Sequence, residues 1–389
     1  QGTQEYTRGT LRCRTAEKGI DPLPGPASRE RDRHYLRMAC RLAVKAAGRT
    51  SPNPMVGAVL VSGKEIVGTG YHRFAGGDHA EIVALKRAGI KAKGATLYIN
   101  LEPCSHYGRT PPCTAALIHA SIKEVVAGMK DPNPLVAGRG FRQLRRAGIR
   151  VRTGILEEEC RTLNEAFIKY VTRRLPFVTL KLAATLDGKI AAVSGDARWI
   201  SGSVSRHRVH QLRNQMDAVL VGADTVLNDN PQLTCRIAGG RNPWRVILDG
   251  GLRIPLSARF LQLSDAEKTV IVTSRSASAW KVRALQAMGI QVWQFPVRDG
   301  EIVWSRFLRK LGALGIVSLL VEGGAKVAAS ALRAQAVDKI LFFYAPKILG
   351  GDGRVMIEGL DIRRAADAMA VRQLSAQKSG KDLLVTGYL

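Results

Sequence analysis

The stretch that decides the fold is HAEIVALKRAGIKAKGATLYINLEPCSHYGRTPPC, residues 79–113. Ala80, Ile82, Val83 and Leu85 give an apolar face to a helix over 79–88. ATLYINL (95–101) has the length and composition of a buried strand. The loop EPCSHYGRTPPC follows, and a second helix is expected over 114–120. His79 and Glu81 therefore open a helix, Cys104 follows a strand, and Cys113 follows two prolines. One imidazole and two thiolates fill three corners of a tetrahedral zinc site and leave the fourth for water. Zinc lowers the pKa of such a water toward about 7. Glu81, on a neighbouring face of the same turn, can carry the water proton to a departing amine without touching the metal. Pro112 suits a first helical position, which puts Cys113 at a helix N-terminus where the dipole favours thiolate. His-x-Glu followed by Pro-Cys is the zinc-deaminase pattern, but eight residues separate the cysteines here instead of two. His106, ahead of Tyr107-Gly108, is expected to face substrate or backbone rather than metal.

Outward from this stretch, a helix is expected from near Asp32 to Gly48, strands over 55–61, 65–72 and 124–129, a turn at Asp-Pro-Asn-Pro (131–134), and a helix over 140–147. Strands alternating with helices make a three-layer α/β unit. The pattern restarts after Arg173-Arg174-Leu175-Pro176. Strands are expected over 177–185, 218–223, 245–250, 269–274, 318–324 and 339–346, with helices over 205–214 and around 279–288 and 325–334. The expected division is an extension (1–29), a first unit (30–175) and a second unit (176–389). The extension lacks a periodic apolar face and ends in Pro-Leu-Pro-Gly-Pro, so it reads as disordered. The second unit has no Gly-x-Gly-x-x-Gly. Its Leu320-Val321-Glu322-Gly323-Gly324 leads from a strand into a helix, where backbone amides can cradle a pyrophosphate.

Lys and Arg number 59 against 32 Asp and Glu, a net charge of +27. Such a balance invites nucleic acid, a membrane surface or anionic small molecules. No long basic run or lysine-rich arm is present, so the charge reads as solvated faces, with phosphate-bearing ligands sharing the credit. The 46% hydrophobic and 23% charged fractions exclude a wholly disordered chain. Six cysteines in 389 residues are no secreted disulfide framework. Cys13, Cys40, Cys160 and Cys235 are scattered and expected to be inert. No run of about 18 apolar residues and no apolar signal region occur, so a cytoplasmic location is expected.

TSPNPMVGAVLV (50–61), HAEIVALKRAG (79–89) and LEPCSHYGRTPPCTAALI (101–118) resemble the deaminase domain of the bacterial bifunctional riboflavin-biosynthesis deaminase/reductase family. The cysteine loop is the specific part. KLAATLDGKIA (181–191), RWISG (198–202), 209–236, VEGGAKVAASAL (321–332) and APKILGG (345–351) resemble its reductase domain. The resemblance implies a cytidine-deaminase-like α/β/α domain followed by a dihydrofolate-reductase-like α/β domain, with one zinc ion and NADPH. It implies a phosphorylated small-molecule substrate, a diaminopyrimidinone carrying ribosylamine 5′-phosphate. The ring amine would be hydrolysed and the ribosyl group then reduced to ribityl. On this resemblance His79, Cys104 and Cys113 hold zinc, Glu81 is the proton donor, and Asn53 hydrogen-bonds the pyrimidine. Lys181, Arg213, Leu233, Arg236 and Glu322 match substrate positions. Ala183, Trp199, Thr225, Asp229 and the Gly324 turn match cofactor positions. Two arginines suit a phosphate, while Asp229 and Lys181 suit proton transfer and polarisation of the sugar oxygen. Ser274 and Arg275, at a strand end, are the candidates for the NADPH 2′-phosphate. Ala197 departs from the family, which has members with a hydroxyl residue there, and Asp187-Gly188 reads as a tight turn. A homo-oligomer (dimer or tetramer) is expected, with no nucleic-acid or membrane partner. A nucleic-acid-editing zinc deaminase with an accessory domain is the alternative, supported only by the charge. A basic RNA-binding protein with lapsed catalytic domains predicts broken ligands, yet His79, Glu81, Cys104 and Cys113 are all present.

Overall fold

The computed structural model describes residues 26–106, 111–134, 136–298 and 301–389. The extension expected over 1–29 lies outside the described residues up to position 25. The first helix, α1 (Pro26–Val44), begins at Pro26 rather than near Asp32, with proline in its favoured first position. Strands β1 (Gly57–Ser62) and β2 (Glu65–Tyr71) form a hairpin. Then come α2 (Ala80–Ala88), β3 (Thr96–Leu101), α3 (Cys113–His119), β4 (Glu124–Met129), α4 (Arg139–Arg146), β5 (Arg150–Thr153), α5 (Glu157–Leu163) and α6 (Glu165–Arg173).

The five strands form one sheet in the order β2-β1-β3-β4-β5, with β3, β4 and β5 parallel. Strand periodicity of two sorts its residues onto opposite faces. Leu60, Leu97 and Val125 pack on the side of Ala84 of α2, Leu117 of α3 and Leu144 of α4. Val59, Tyr98 and Val126 pack on the other side against Leu36 and Ala39 of α1. This is the three-layer unit expected. Strand β5 escapes sequence reading because Arg-Val-Arg-Thr is a short, polar edge segment.

The second sheet has nine strands. Its order is 291–295, 269–274, 244–248, 218–222, 318–321, 177–185, 339–345, 382–388 and 372–379. The first seven run parallel, 382–388 pairs antiparallel to 339–345, and 372–379 pairs antiparallel to 382–388. Its central parallel strands are buried on both faces, which explains their near-continuous apolar runs. Leu220, Val246 and Val270 face one core, and Val219, Ile247 and Ile271 the other. The closing hairpin, 372–388, has no sequence signal: its outer strand, Arg372–Ser379, is polar and exposed over all but its last residue.

Ion pairs and hydrogen bonds join the two sheets' units. Glu165 of α6 accepts from Lys339 Nζ at 2.8 Å and from the Tyr388 hydroxyl at 2.7 Å. Lys169 reaches Asp338 at 2.6 Å. Cys40 and Cys160, scattered in sequence, come together with their sulfurs 3.7 Å apart. Cys13 lies outside the described residues.

Candidate active sites

His79 is the residue ahead of α2, with extended backbone (φ −70°, ψ 157°), and Glu81 lies buried in the first turn. Their position depends on Gly70 in β2, where a Cβ would lie 2.2 Å from the Ala80 carbonyl oxygen. Strand β3 delivers Cys104 through Glu102, whose buried carboxylate accepts N–H bonds from Asp131, Gly138 and Phe141. Cys113 is the first residue of α3, and the Cys104 carbonyl accepts the Thr114 N–H at 3.2 Å.

These anchors bring three groups together. His79 Nδ1 lies 3.2 Å from Cys113 Sγ and 3.5 Å from Cys104 Sγ. The three candidate ligand atoms fall within 4.8 Å of one another, and this is the cluster suited to a metal among the described residues. His106 is exposed and outside the trio. The hydrogen bond from Cys113 pulls the Cys104 thiol down to about 4, against burial and with help from His79. An anionic sulfur beside an imidazole is the donor set that zinc takes. Burial, reinforced by the Cys104 charge, pushes Glu81 up to about 7.

A cavity of about 450 Å³ opens beside the trio. Asn53, His72, Glu81, Asp131, Asn133 and Phe167 line it. His72 Nδ1–H donates to the Asp78 carbonyl at 3.1 Å, so Nε2 accepts from the Asn53 amide at 3.2 Å. Burial holds His72 below its ordinary pKa, which favours this neutral form. The amide oxygen of Asn53 is then left for a ligand.

The second cavity, about 900 Å³, lies where parallel strands end, the usual ligand position in such sheets. Strand β6 (Phe177–Thr185) contributes Lys181 and Ala183. Helix α7 (Ser203–Gln215) carries Arg213, and α8 (Ala223–Asp229) supplies Thr225 and Asp229. Gly323 (φ 127°) and Gly324 (φ 84°) turn strand Ser318–Val321 into helix Ala325–Arg333. Glycine is required by that backbone, and the first N–H groups of the helix have no intrahelical carbonyl to bind. Such a turn fits an anionic cofactor.

Arg213 and Glu322 form a bidentate pair at 2.6 and 2.8 Å. Arg213 Nη1 donates to the Thr234 carbonyl at 3.0 Å, so its donors are directed at protein groups. Arg236 is exposed and contacts His210. Burial lowers the Lys181 pKa, against the Glu322 charge. Burial raises that of Asp229, against Arg198. Ala197 lines the cavity. Trp199 is exposed and is not in the cavity lining, and the Arg206 guanidinium lies 4.7 Å from its ring centre. The Leu233 side chain packs into the core, on backbone with φ 56°. Ser274 bonds Ser276 at 2.8 Å. Ser274 and Arg275 stand one strand beyond Leu248, which lines the cavity, and are not themselves in its lining. Asp187 accepts the Gly350 N–H at 2.8 Å in the tight turn expected there.

Sequence reasoning misses His72, Glu102, Asp131, Asn133 and Phe167. The available signal is Asp-Pro-Asn-Pro, which repeats the proline-flanked asparagine at 52–54 yet reads as a simple turn. Phe167 has no motif, because only the packing of α6 brings it to the cavity.

Residues 29–129 match the cytidine and deoxycytidylate deaminase zinc-binding region, and residues 176–385 match the RibD C-terminal domain. The chain is 46% identical to the riboflavin biosynthesis protein RibD of Aquifex aeolicus, over 92% of this chain and 98% of that one. It is 38% identical to the Escherichia coli RibD, over 90% and 98%. The Acinetobacter baumannii RibD structure superposes with a TM-score of 0.83 at 35% identity, covering 92% of this chain and 99% of that one. A Thermotoga maritima structure, described as a diaminohydroxyphosphoribosylaminopyrimidine deaminase/5-amino-6-(5-phosphoribosylamino)uracil reductase, superposes at 0.82 with 40% identity, covering 93% and 99%. With both halves matched in order and nearly the full length of these relatives covered, the chain belongs to the RibD family.

Proposed function

We propose that the chain is a bifunctional riboflavin-biosynthesis enzyme. It deaminates 2,5-diamino-6-(5-phosphoribosylamino)pyrimidin-4(3H)-one, then reduces the product to 5-amino-6-(5-phosphoribitylamino)uracil. The trio His79, Cys104 and Cys113 beside a buried Glu81 carries the first half of this reading. Zinc bound by the trio supplies the Lewis acidity that activates water. Glu81 takes a proton from the attacking water and passes it to the leaving amine. Water oxygen replaces nitrogen on the ring and ammonia departs. A carboxyl near neutrality serves both transfers. Asn53, oriented by His72, accepts a hydrogen bond from the pyrimidine.

The second cavity would hold NADPH, which would supply the hydride for the ribosyl C1′. The Gly324 turn would hold the pyrophosphate, Ala183, Trp199, Thr225 and Asp229 would lie on the cofactor side, and Ser274 with Arg275 would take the 2′-phosphate. Lys181, its pKa lowered by burial, polarises the sugar oxygen as its bond to C1′ opens. Asp229 takes part in delivering the single proton that the sugar oxygen needs when hydride reaches C1′. Arg213, Leu233, Arg236 and Glu322 form the substrate side. The two activities divide at 30–175 and 176–389. Among the described residues no helix is long and apolar enough to cross a membrane. The exposed edge strand Arg372–Ser379 suits a homo-oligomer, dimer or tetramer. An editing deaminase is not favoured, since the whole second half matches RibD.

The test feeds the diaminopyrimidinone nucleotide with and without NADPH. Ammonia release should not need NADPH, whereas NADPH oxidation should need the deaminated product. Glu81→Ala should abolish ammonia release, retain zinc, and still oxidise NADPH when given that product. Loss of metal instead would mean that Glu81 is a ligand.

A further inference from the structure

The loop that carries Asn53 is held from outside its own sheet. Ser51 Oγ donates to Asp217 Oδ2 at 2.7 Å, across 166 positions of sequence. Asp217 immediately precedes the strand Ala218–Gly222 of the nine-stranded sheet. Its carboxylate is rigidly placed there: Oδ2 also accepts the Val317 and Ser318 N–H groups at 2.9 and 3.1 Å, and Oδ1 accepts Arg241 Nη2 at 3.2 Å. The residue is buried. Two neighbouring contacts seat the same loop. Arg49 Nη2 donates to the Gly239 carbonyl at 3.0 Å. Gly48 lies so close to α7 that a Cβ would meet the Asn214 carbonyl oxygen at 2.2 Å. On the other side of Asn53, the buried Asn164 brackets Met55, accepting its N–H at 2.8 Å and donating to its carbonyl at 3.1 Å.

We propose that Asp217, in the reductase half, is a positioning residue for the deaminase, fixing the Asn53 loop through Ser51. The proposal rests on the reading of Asn53 as the pyrimidine contact. Only Pro52 separates Ser51 from Asn53, so a freed Ser51 lets the amide swing away from the ring while the metal trio and Glu81 stay on their own anchors. The deaminase pocket is therefore finished by the second half of the chain, which gives a physical reason for keeping the two activities on one polypeptide.

The decisive variant is Ser51→Ala, which removes the link and leaves the other partners of Asp217 intact. Losing one charge-assisted hydrogen bond should raise the deaminase KM about tenfold. Deaminase kcat, and reductase kinetics with the deaminated nucleotide, should stay within about twofold because those sites are separate. Ser51→Thr, which keeps the hydroxyl, should restore the KM. Asn53→Ala is the control. If it raises the KM and Ser51→Ala does not, the positioning role is refuted. If neither raises it, the Asn53 reading fails and takes this proposal with it. Equal loss of both activities in Ser51→Ala would mean general destabilisation and also overturn the proposal.

Discussion

Replacing Gly70 with alanine should disable the deaminase while sparing the reductase. The added Cβ would sit 2.2 Å from the Ala80 carbonyl oxygen, 2.7 Å from the Ala84 nitrogen and 2.9 Å from Val83 Cβ. The two nearest atoms are backbone, so no side-chain rotation relieves the clash. Helix α2 and strand β2 must separate by about 1 Å before the contact is tolerable. Ala80 lies between His79 and Glu81, so the metal ligand and the proton carrier move together relative to Cys104 and Cys113. A misplacement of about 1 Å at a reacting centre costs on the order of 100-fold. Overpacking of this kind costs about 1–3 kcal/mol of stability. The assay follows ammonia release with the diaminopyrimidinone nucleotide, NADPH oxidation with its deaminated product, and zinc per chain. Deaminase kcat/KM should fall about 100-fold and reductase kcat/KM should stay within about twofold. Gly250→Ala, where a Cβ meets nothing within 4 Å, should leave both activities unchanged. Wild-type ammonia release from a folded Gly70→Ala enzyme would refute the idea that α2 needs this close approach to place its two residues.

Chelation should remove ammonia release and leave NADPH oxidation with the deaminated nucleotide intact, and added zinc should restore the first; loss of both would tie the metal to the fold as a whole. Burial pushes the Glu322 carboxyl up, but Arg213 and Lys181 more than offset it and hold the net value below the ordinary range. Its stabilising contribution is therefore full above the unfolded glutamate pKa and is lost as pH falls through the lower folded value. Glu322→Gln, which breaks the buried pair, should cost about 3–5 kcal/mol near neutrality, shrinking below about pH 4, as read from unfolding midpoints against pH. Arg275→Ala should raise the KM for NADPH about tenfold without altering use of NADH; equal effects on both would remove it from the 2′-phosphate site.

Both α/β units were legible wherever local pattern and final environment agree. The buried strands 177–185, 218–222 and 269–274 are apolar because they are covered on both faces, and their runs read as strands before any contact is known. Strands β5 and 372–379 were not legible, since they lie at sheet edges and exist through pairing with a neighbour rather than through their own composition. The approach of Cys40 to Cys160 was equally hidden, because α1 and α5, far apart in sequence, are brought side by side only by packing on the same face of the sheet.

By itself the sequence determined the chemistry on offer: an imidazole, two sulfurs and a carboxyl, spaced so that helix starts and a strand end present them. Those positions follow from short-range backbone geometry, which a few consecutive residues dictate. Only the tertiary structure decided which groups stand beside them. The neutral His72 behind Asn53, the pairing of Arg213 with Glu322 and the bond from Ser51 to Asp217 each join residues from 19 to 166 positions apart. Such partners are chosen by how helices and sheets pack, and packing depends on the whole chain at once.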